Sequence, residues 1–231
     1  MSQIRAITLD LDDTLWEIGP VILRAESELW QWLCDGYPEI PRRVSSQDLI
    51  ALRATIASEH PDRVHDFRFL RRQTLARVAI DSGYTDDLVD AAFEVFDAAR
   101  NRIDFYPDVL PVLELLARRY RLIAVTNGNA NLQKIGIRHL FHDVVTAVDA
   151  GAAKPAQPIF AEAVRRAGVR QEAILHVGDH PENDVEGARA AGLRSAWMNR
   201  TGAEWPAHLP QPEVVLSSMS DLQDLLAGYD P

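Results

Sequence analysis

"AITLDLDDTLWE", residues 6–17, packs a run of strand-forming residues against three carboxylates, Asp10, Asp12 and Asp13, in four positions. Such crowded like charges repel, and a chain that keeps them together needs a positive partner there. Ile4 to Leu9 is short, mostly apolar and bounded by acids, the pattern of a central parallel strand covered on both faces. Similar runs recur at 120–127 ("YRLIAVTN"), 173–179 ("AILHVGD") and 194–199 ("RSAWMN"), with weaker ones at 143–148 and 213–216. Helical patterns at 107–119, 157–168 and 181–192 separate them, and the last two end in Gly, a common helix stop. This alternation predicts an α/β fold, a doubly wound parallel sheet with right-handed crossovers.

Between about 17 and 103 the alternation stops. Successive amphipathic helices are predicted near 19–35, 45–58, 63–82 and 86–102, broken at "GYPEIPR" and "DSGYTDD". The expected organisation is a core of 1–16 and 104–231 with a helical bundle, 17–103, inserted after the first strand.

The 231 residues are 47% hydrophobic and 25% charged, enough to bury a real core, and carry a net charge of -10. That sign argues against general nucleic-acid or acidic-membrane binding. A lone cysteine, Cys34, excludes an internal disulfide and reads as a buried core thiol. The first strand begins too early to leave room for a signal peptide, and no apolar run reaches membrane-spanning length, so a cytoplasmic protein is expected.

In an open parallel sheet, ligands gather at the carboxyl ends of the strands. Asp10 and Asp12 follow the first strand, Thr126, Asn127 and Gly128 close the second, Lys154 precedes a helix, and Asp179 and Asp184 follow "AILHVG". This set suits phosphoryl transfer. A carboxylate meeting a phosphate dianion is repelled by roughly 4 kcal/mol per charge pair at about 4 Å, with an effective dielectric near 20. Lys154 alone cannot offset that, whereas a divalent cation can. Oxygen donors without a His or Cys cluster favour Mg²⁺ over Zn²⁺.

"DLDDTL", "TNGN", "KP" followed by "PIF", and "GDHPEND" resemble, in order, the four motifs of the haloacid dehalogenase superfamily, and the likeness includes a helical cap after the first motif. The resemblance implies Asp10 as the nucleophile of an aspartyl-phosphate intermediate and Asp12 as the general acid and base. It implies Mg²⁺ held by Asp10, the backbone carbonyl of Asp12 and Asp179, with Asp184 in or next to the ligand set. Thr126, aided by Asn127, would bind the phosphoryl group, and Lys154 would neutralise charge between it and Asp10. Dehalogenases of the superfamily need no acid at the position of Asp12, so its presence points to a phosphatase or phosphomutase.

"DLDDTLWEIGPVILRAE", "HDFRFLRR", "VTNGNA" and "ILHVGDHPENDV" are further similar to bacterial phosphatases of flavin mononucleotide and of the phosphorylated pyrimidine of riboflavin synthesis, with Trp16 in place of an expected Tyr. The expected ligand is a small phosphorylated metabolite, handled by a monomer or homodimer without nucleic-acid or membrane partners. Trp16 would stack on a planar ring or pack beneath the cap. His65, Arg68 and Arg72 would form a cap face toward substrate or a solvated basic face. His180 follows Asp179 and could line the site, while His176 reads as a structural residue of its strand. A sugar phosphomutase and a phosphoaspartyl signalling module are the alternatives, the latter disfavoured because its acceptor Asp follows a middle strand.

Overall fold

The structure, a computed structural model, describes residues 3–228; the outermost positions of the expected core, 1–2 and 229–231, lie outside them. Six strands, β1 (Ala6–Leu9), β2 (Arg121–Thr126), β3 (Asp143–Thr146), β4 (Ile174–Gly178), β5 (Arg194–Met198) and β6 (Val215–Leu216), form one sheet in the order β3-β2-β1-β4-β5-β6. Every pairing is parallel, and the first strand lies in the middle, with Leu9 opposite Ala124 of β2 and Val177 of β4. All residues of β1 and β4 are buried, which is why these runs do not alternate polar with apolar.

The chain divides into two compact units. One, comprising Met1–Glu17, Asp104–Gly128 and Gly136–Pro231, holds the sheet. The other comprises Ile18–Ile103 and Asn129–Ile135 and contains no strand among its described residues. Its helices are α1 (Ile18–Gly36), α2 (Glu39–Arg43), α3 (Ser46–Glu59), α4 (Phe67–Asp81) and α5 (Leu88–Arg100). Residues 129–135, which the sequence pattern assigns to the core, group instead with these helices. They include α7 (Leu132–Ile135), which follows α6 (Val109–Ala117) of the sheet unit. The ties are polar and invisible to hydrophobic periodicity: Asn131 N donates to Asn101 Oδ1 at 2.7 Å, and Lys134 Nζ to Asp97 Oδ2 at 2.7 Å.

In the helical unit, α1 buries Val21, Ala25, Leu29 and Leu33, an i, i+4 stripe, and the last three join a core with Leu75, Phe93 and Phe96. Cys34, beside that stripe, is half-buried rather than in the core. A capping box, Ser45 with Asp48, starts α3, and the Asp66 side chain accepts from Phe69 N at 2.9 Å to start α4.

The basic residues expected on one face of α4, toward substrate or solvent, do not all belong to the helix. His65 precedes the cap and lies outside the helix. Arg68 and Arg72 lie 4.7 and 5.6 Å from the Phe93 ring centre, and Arg72 also pairs with Asp90, so both guanidinium groups serve packing against α5. The buried member of the run is Arg71, which makes two bonds to Glu26, at 2.8 and 3.0 Å, and stacks 3.3 Å from the Phe96 ring centre.

The sheet unit continues with α8 (Ala147–Ala150), α9 (Gln157–Ala167), α10 (Gly187–Ala190) and α11 (Met219–Ala227). Ile159, Phe160 and Ala163 of α9 pack on Ile123, Val125 and Val145 of the sheet. A single helix over 181–192 is expected, but the chain makes one wide turn of π-type, Pro181–Glu186, before α10. No described helix is long and apolar enough to cross a membrane.

Two leucines of α1 test this packing. Leu29 is buried and Leu23 is 73% exposed. Leu29→Ala should cost about 2–5 kcal/mol in urea denaturation, and Leu23→Ala should stay within about 0.5 kcal/mol.

Candidate active site

The carboxyl ends of β1 and β4 bring Asp10, Asp179 and Asp184 together, each offering one carboxylate oxygen within 4.8 Å of the others. Asp10 follows β1 directly, and its backbone N–H donates to Val177 O at 2.9 Å, which fixes its height against β4. Lys154 reaches this group from the loop before α9. Its Nζ donates to Asp10 Oδ1 at 2.5 Å and to Asp184 Oδ1 at 2.6 Å.

Asp184 owes its position to the wide turn and to a missing side chain. A Cβ on Gly178 would lie 2.3 Å from Asp184 Cγ, so only glycine at the end of β4 admits the carboxylate. Oδ1 of Asp184 also meets His176 Nε2 at 3.1 Å, and Oδ2 accepts from His180 N at 3.0 Å. The His180 ring does not face the acids; its Nδ1 accepts from Glu182 and Asn183 N–H and caps the turn.

His176 is fully buried, with Nδ1 2.8 Å from the Thr8 hydroxyl. Burial lowers its pKa against the pull of Asp184, so the ring is neutral. The carboxylate on Nε2 then assigns the ring proton to that nitrogen and makes Nδ1 the acceptor of the Thr8 hydroxyl. His176 is therefore an orienting strut for Asp184, which a reading as a generic strand residue misses. The available signal was its pairing in register with Thr8, a polar pair within two otherwise apolar strands.

Thr14 was also missed. Its hydroxyl lies 3.4 Å from Asp10 Oδ2 and 3.3 Å from Asp179 Oδ1, bridging the two acids. Arg200, past β5, secures that turn: its Nε donates to Thr14 O at 2.8 Å and its two terminal nitrogens bond Asp108 at 3.1 Å each. The Trp197 indole N–H donates to Asp179 O at 2.7 Å.

Trp16, expected either to stack on a planar ring or to pack beneath the cap, is a packed residue. It is fully buried, packs edge-on against Phe105 with centroids 5.7 Å apart, and donates its indole N–H to Asp12 Oδ1 at 2.8 Å. Its role is to aim Asp12, whose carboxylate lies outside the three-acid cluster. Asp13 adopts a left-handed backbone, φ 60°, which Asp tolerates better than most residues, and so turns the chain back.

Thr126 ends β2, next to β1, and its hydroxyl accepts from Gly128 N at 2.9 Å, leaving its own proton to be donated. Asn127, expected to aid Thr126 at the phosphoryl group, is tied to the lysine loop. Its Oδ1 accepts from Lys154 N at 2.6 Å and its Nδ2 donates to Lys154 O at 3.0 Å, so its side chain clamps the lysine backbone.

The titration behaviour follows from charge and burial. Burial drives the Asp10 carboxyl well above its ordinary range, with Asp184 and Asp179 adding to the shift and Lys154 opposing it. Asp179 is pushed up to about 6 by burial and by Asp184 and Asp13. Burial would raise Asp184 too, but Lys154 and His176 outweigh it and hold this group ionised. Burial likewise disfavours charge on Lys154, and Asp10 with Asp184 reverses that and keeps it protonated. Three carboxylates facing one ammonium are two positive charges short of neutrality when all are ionised. One divalent cation would supply that charge, and the all-oxygen donor set fits Mg²⁺.

Gly178→Ala should force Asp184 off its partners and lower stability by about 3–5 kcal/mol, the cost of breaking a buried ion pair. Gly19→Ala meets no atom within 4 Å and serves as the neutral control in the same denaturant titration.

Residues 4–192 match the family model described as haloacid dehalogenase-like hydrolase. Among characterised proteins, the chain is 30% identical over 234 residues to the Escherichia coli 5-amino-6-(5-phospho-D-ribitylamino)uracil phosphatase YigB, covering 98% of each. It is 32% identical to the glyceraldehyde 3-phosphate phosphatase of Methanopyrus kandleri, over 85% of this chain and 84% of that one. Among solved structures, one described as a 2-haloacid dehalogenase from Pseudomonas syringae superposes with a TM-score of 0.92 at 38% identity, covering 98% of this chain and all of that one. With the fold and the motif residues in place, the chain belongs to the haloacid dehalogenase-like hydrolases.

Proposed function

We propose that this protein is a Mg²⁺-dependent phosphatase that hydrolyses small phosphomonoesters through an aspartyl-phosphate on Asp10. The observation that carries this reading is the contact of Asp10 with Lys154 inside a cluster that lacks two positive charges. Asp10, Asp179 and the backbone carbonyl of Asp12 would hold the cation beside Asp184, where it would screen the acids from the phosphate dianion.

An oxygen of Asp10 attacks phosphorus while the bond to the alkoxide oxygen breaks. Asp12, protonated and held by Trp16, delivers its proton to that oxygen. The carboxylate so formed then takes a proton from water as the water attacks the phosphoryl group, which frees phosphate and restores Asp10. Thr126 donates its hydroxyl proton to a phosphoryl oxygen, and Lys154 stabilises charge spreading between that group and Asp10. Asn127 contributes by fixing the Lys154 backbone. In the division 1–16 with 104–231 and 17–103, chemistry is assigned to the first part and substrate choice, as a cap, to the second.

The full-length likeness to an enzyme named for 5-amino-6-(5-phospho-D-ribitylamino)uracil favours that phosphate, with flavin mononucleotide, as substrates to examine. The likeness to a structure described as a 2-haloacid dehalogenase favours a second reading, displacement of halide by Asp10. Asp12 separates the two, because an alkoxide needs a proton to leave and a halide does not.

Assays of phosphate release from a phosphomonoester panel with Mg²⁺, run beside chloride release from 2-chloropropionate, test the reading. Phosphate release is expected, falling by about 10³-fold or more in Asp10→Asn. Asp12→Asn should slow turnover by about 10²–10⁴-fold and leave phosphorylated Asp10 detectable by mass spectrometry. Chloride release alone, or a phosphoryl adduct on another residue, would overturn it.

A further inference from the structure

The opposite end of the sheet carries a second crowding of like charge. A cleft of about 800 Å³ at the amino ends of β1 and β2 is lined by Arg5, Arg118, Arg119, Tyr120 and Arg121. An adjoining hollow of about 630 Å³ shares Arg5 and adds Arg170. No Asp or Glu lines either one among the described residues.

The topology forces this assembly. Arg5 precedes β1, Arg121 opens β2, and Arg170 lies in the turn from α9 to β4. Ala6 sits opposite Arg121 on one side and Ile174 on the other, with Arg5 N donating to Ala173 O at 2.8 Å and Arg121 N to Arg5 O at 3.3 Å. Arg121 has a structural task, donating to Ala167 O at the end of α9 at 2.8 Å. Arg5, Arg118 and Arg170 pair with no carboxylate among the described residues, whereas Arg165 and Arg166 of α9 both pair with Glu162. About 16 Å of extended chain separates Arg5 from Asp10, so this cleft is distinct from the catalytic centre.

We infer that the cleft binds a small oligophosphate, an anion with two or three linked phosphate groups, either free or as the tail of a nucleotide. Guanidinium forks match phosphate oxygens in pairs, and several of them around one cleft suit a compact, multiply charged ligand. A chain of net charge -10 repels a long polyanion beyond the patch, which favours a small one. Tyr120, with the Arg119 guanidinium 6.0 Å from its ring centre, offers an aromatic surface for a base.

Calorimetric titration of the full chain with sodium tripolyphosphate and, separately, with ATP tests this at low salt with chelator present, so that the catalytic acids carry no cation. One ligand per chain is expected, with affinity falling as salt rises. The exposed pair Arg5→Gln with Arg118→Gln should weaken it by about tenfold or more, and Arg77→Gln, in the helical unit, should not. Tighter binding of ATP identifies a nucleotide, and equal binding identifies the oligophosphate alone. Absent binding, binding unchanged in the double variant, or tighter binding of a long oligonucleotide overturns the inference.

Discussion

Lys154 stands 2.5 Å from Asp10 and 2.6 Å from Asp184, with Asp179 in the same group, and this unequal meeting of charges constrains the rest of the structure. Removing an ion from water is costly unless its partners are close and well oriented. Here one buried cation faces three acids, and the local structure serves to hold that arrangement. His176 and the His180 backbone fix Asp184, Asn127 fixes Lys154, Thr14 bridges Asp10 and Asp179, and Trp16 holds Asp12.

The parallel sheet makes the meeting possible. β1 lies between β2 and β4, so the residues after these strands are neighbours although the chain separates Asp10 from Asp179 by most of its length. The polar supports then work outward. Arg200 ties the turn after β1 to Asp108, and Asp108 also accepts from Met219 N at 2.5 Å, so the start of α11 shares a brace with the candidate site. The same topology gathers arginines around the amino ends of β1 and β2, opposite the acids at the carboxyl ends of β1 and β4.

Much of this was legible in the sequence for a geometric reason. Apolar runs ending in acids, alternating with helical patterns, allow few parallel arrangements, and strand ends then locate Asp10, Thr126 and Asp179. The supports were less visible because their partners are remote: Thr8 with His176, and Arg200 with Thr14, each meet across more than 160 residues. The π-type turn escaped because its apolar spacing resembles a helix, while its cause is the His180 cap and the space at Gly178. The basic run of α4 suits a face toward substrate or toward solvent, and its spacing gives no sign that Phe93 and Asp90 pack against Arg68 and Arg72. Residues 129–135 joined the helical unit through amide and ammonium bonds that leave no periodic trace.

The central claim is that the acid cluster is completed by a divalent cation. Asp179, pushed up to about 6, must lose its proton for that, and Asp10, raised by the same burial, shifts the balance the same way. Cation affinity should therefore rise as pH increases through about 6 and level off above it. Equilibrium binding of Mg²⁺ at about pH 8 should give one site per chain, weakening roughly tenfold or more at about pH 5 as protons compete. No site at the higher pH, or an affinity indifferent to pH, would contradict the account.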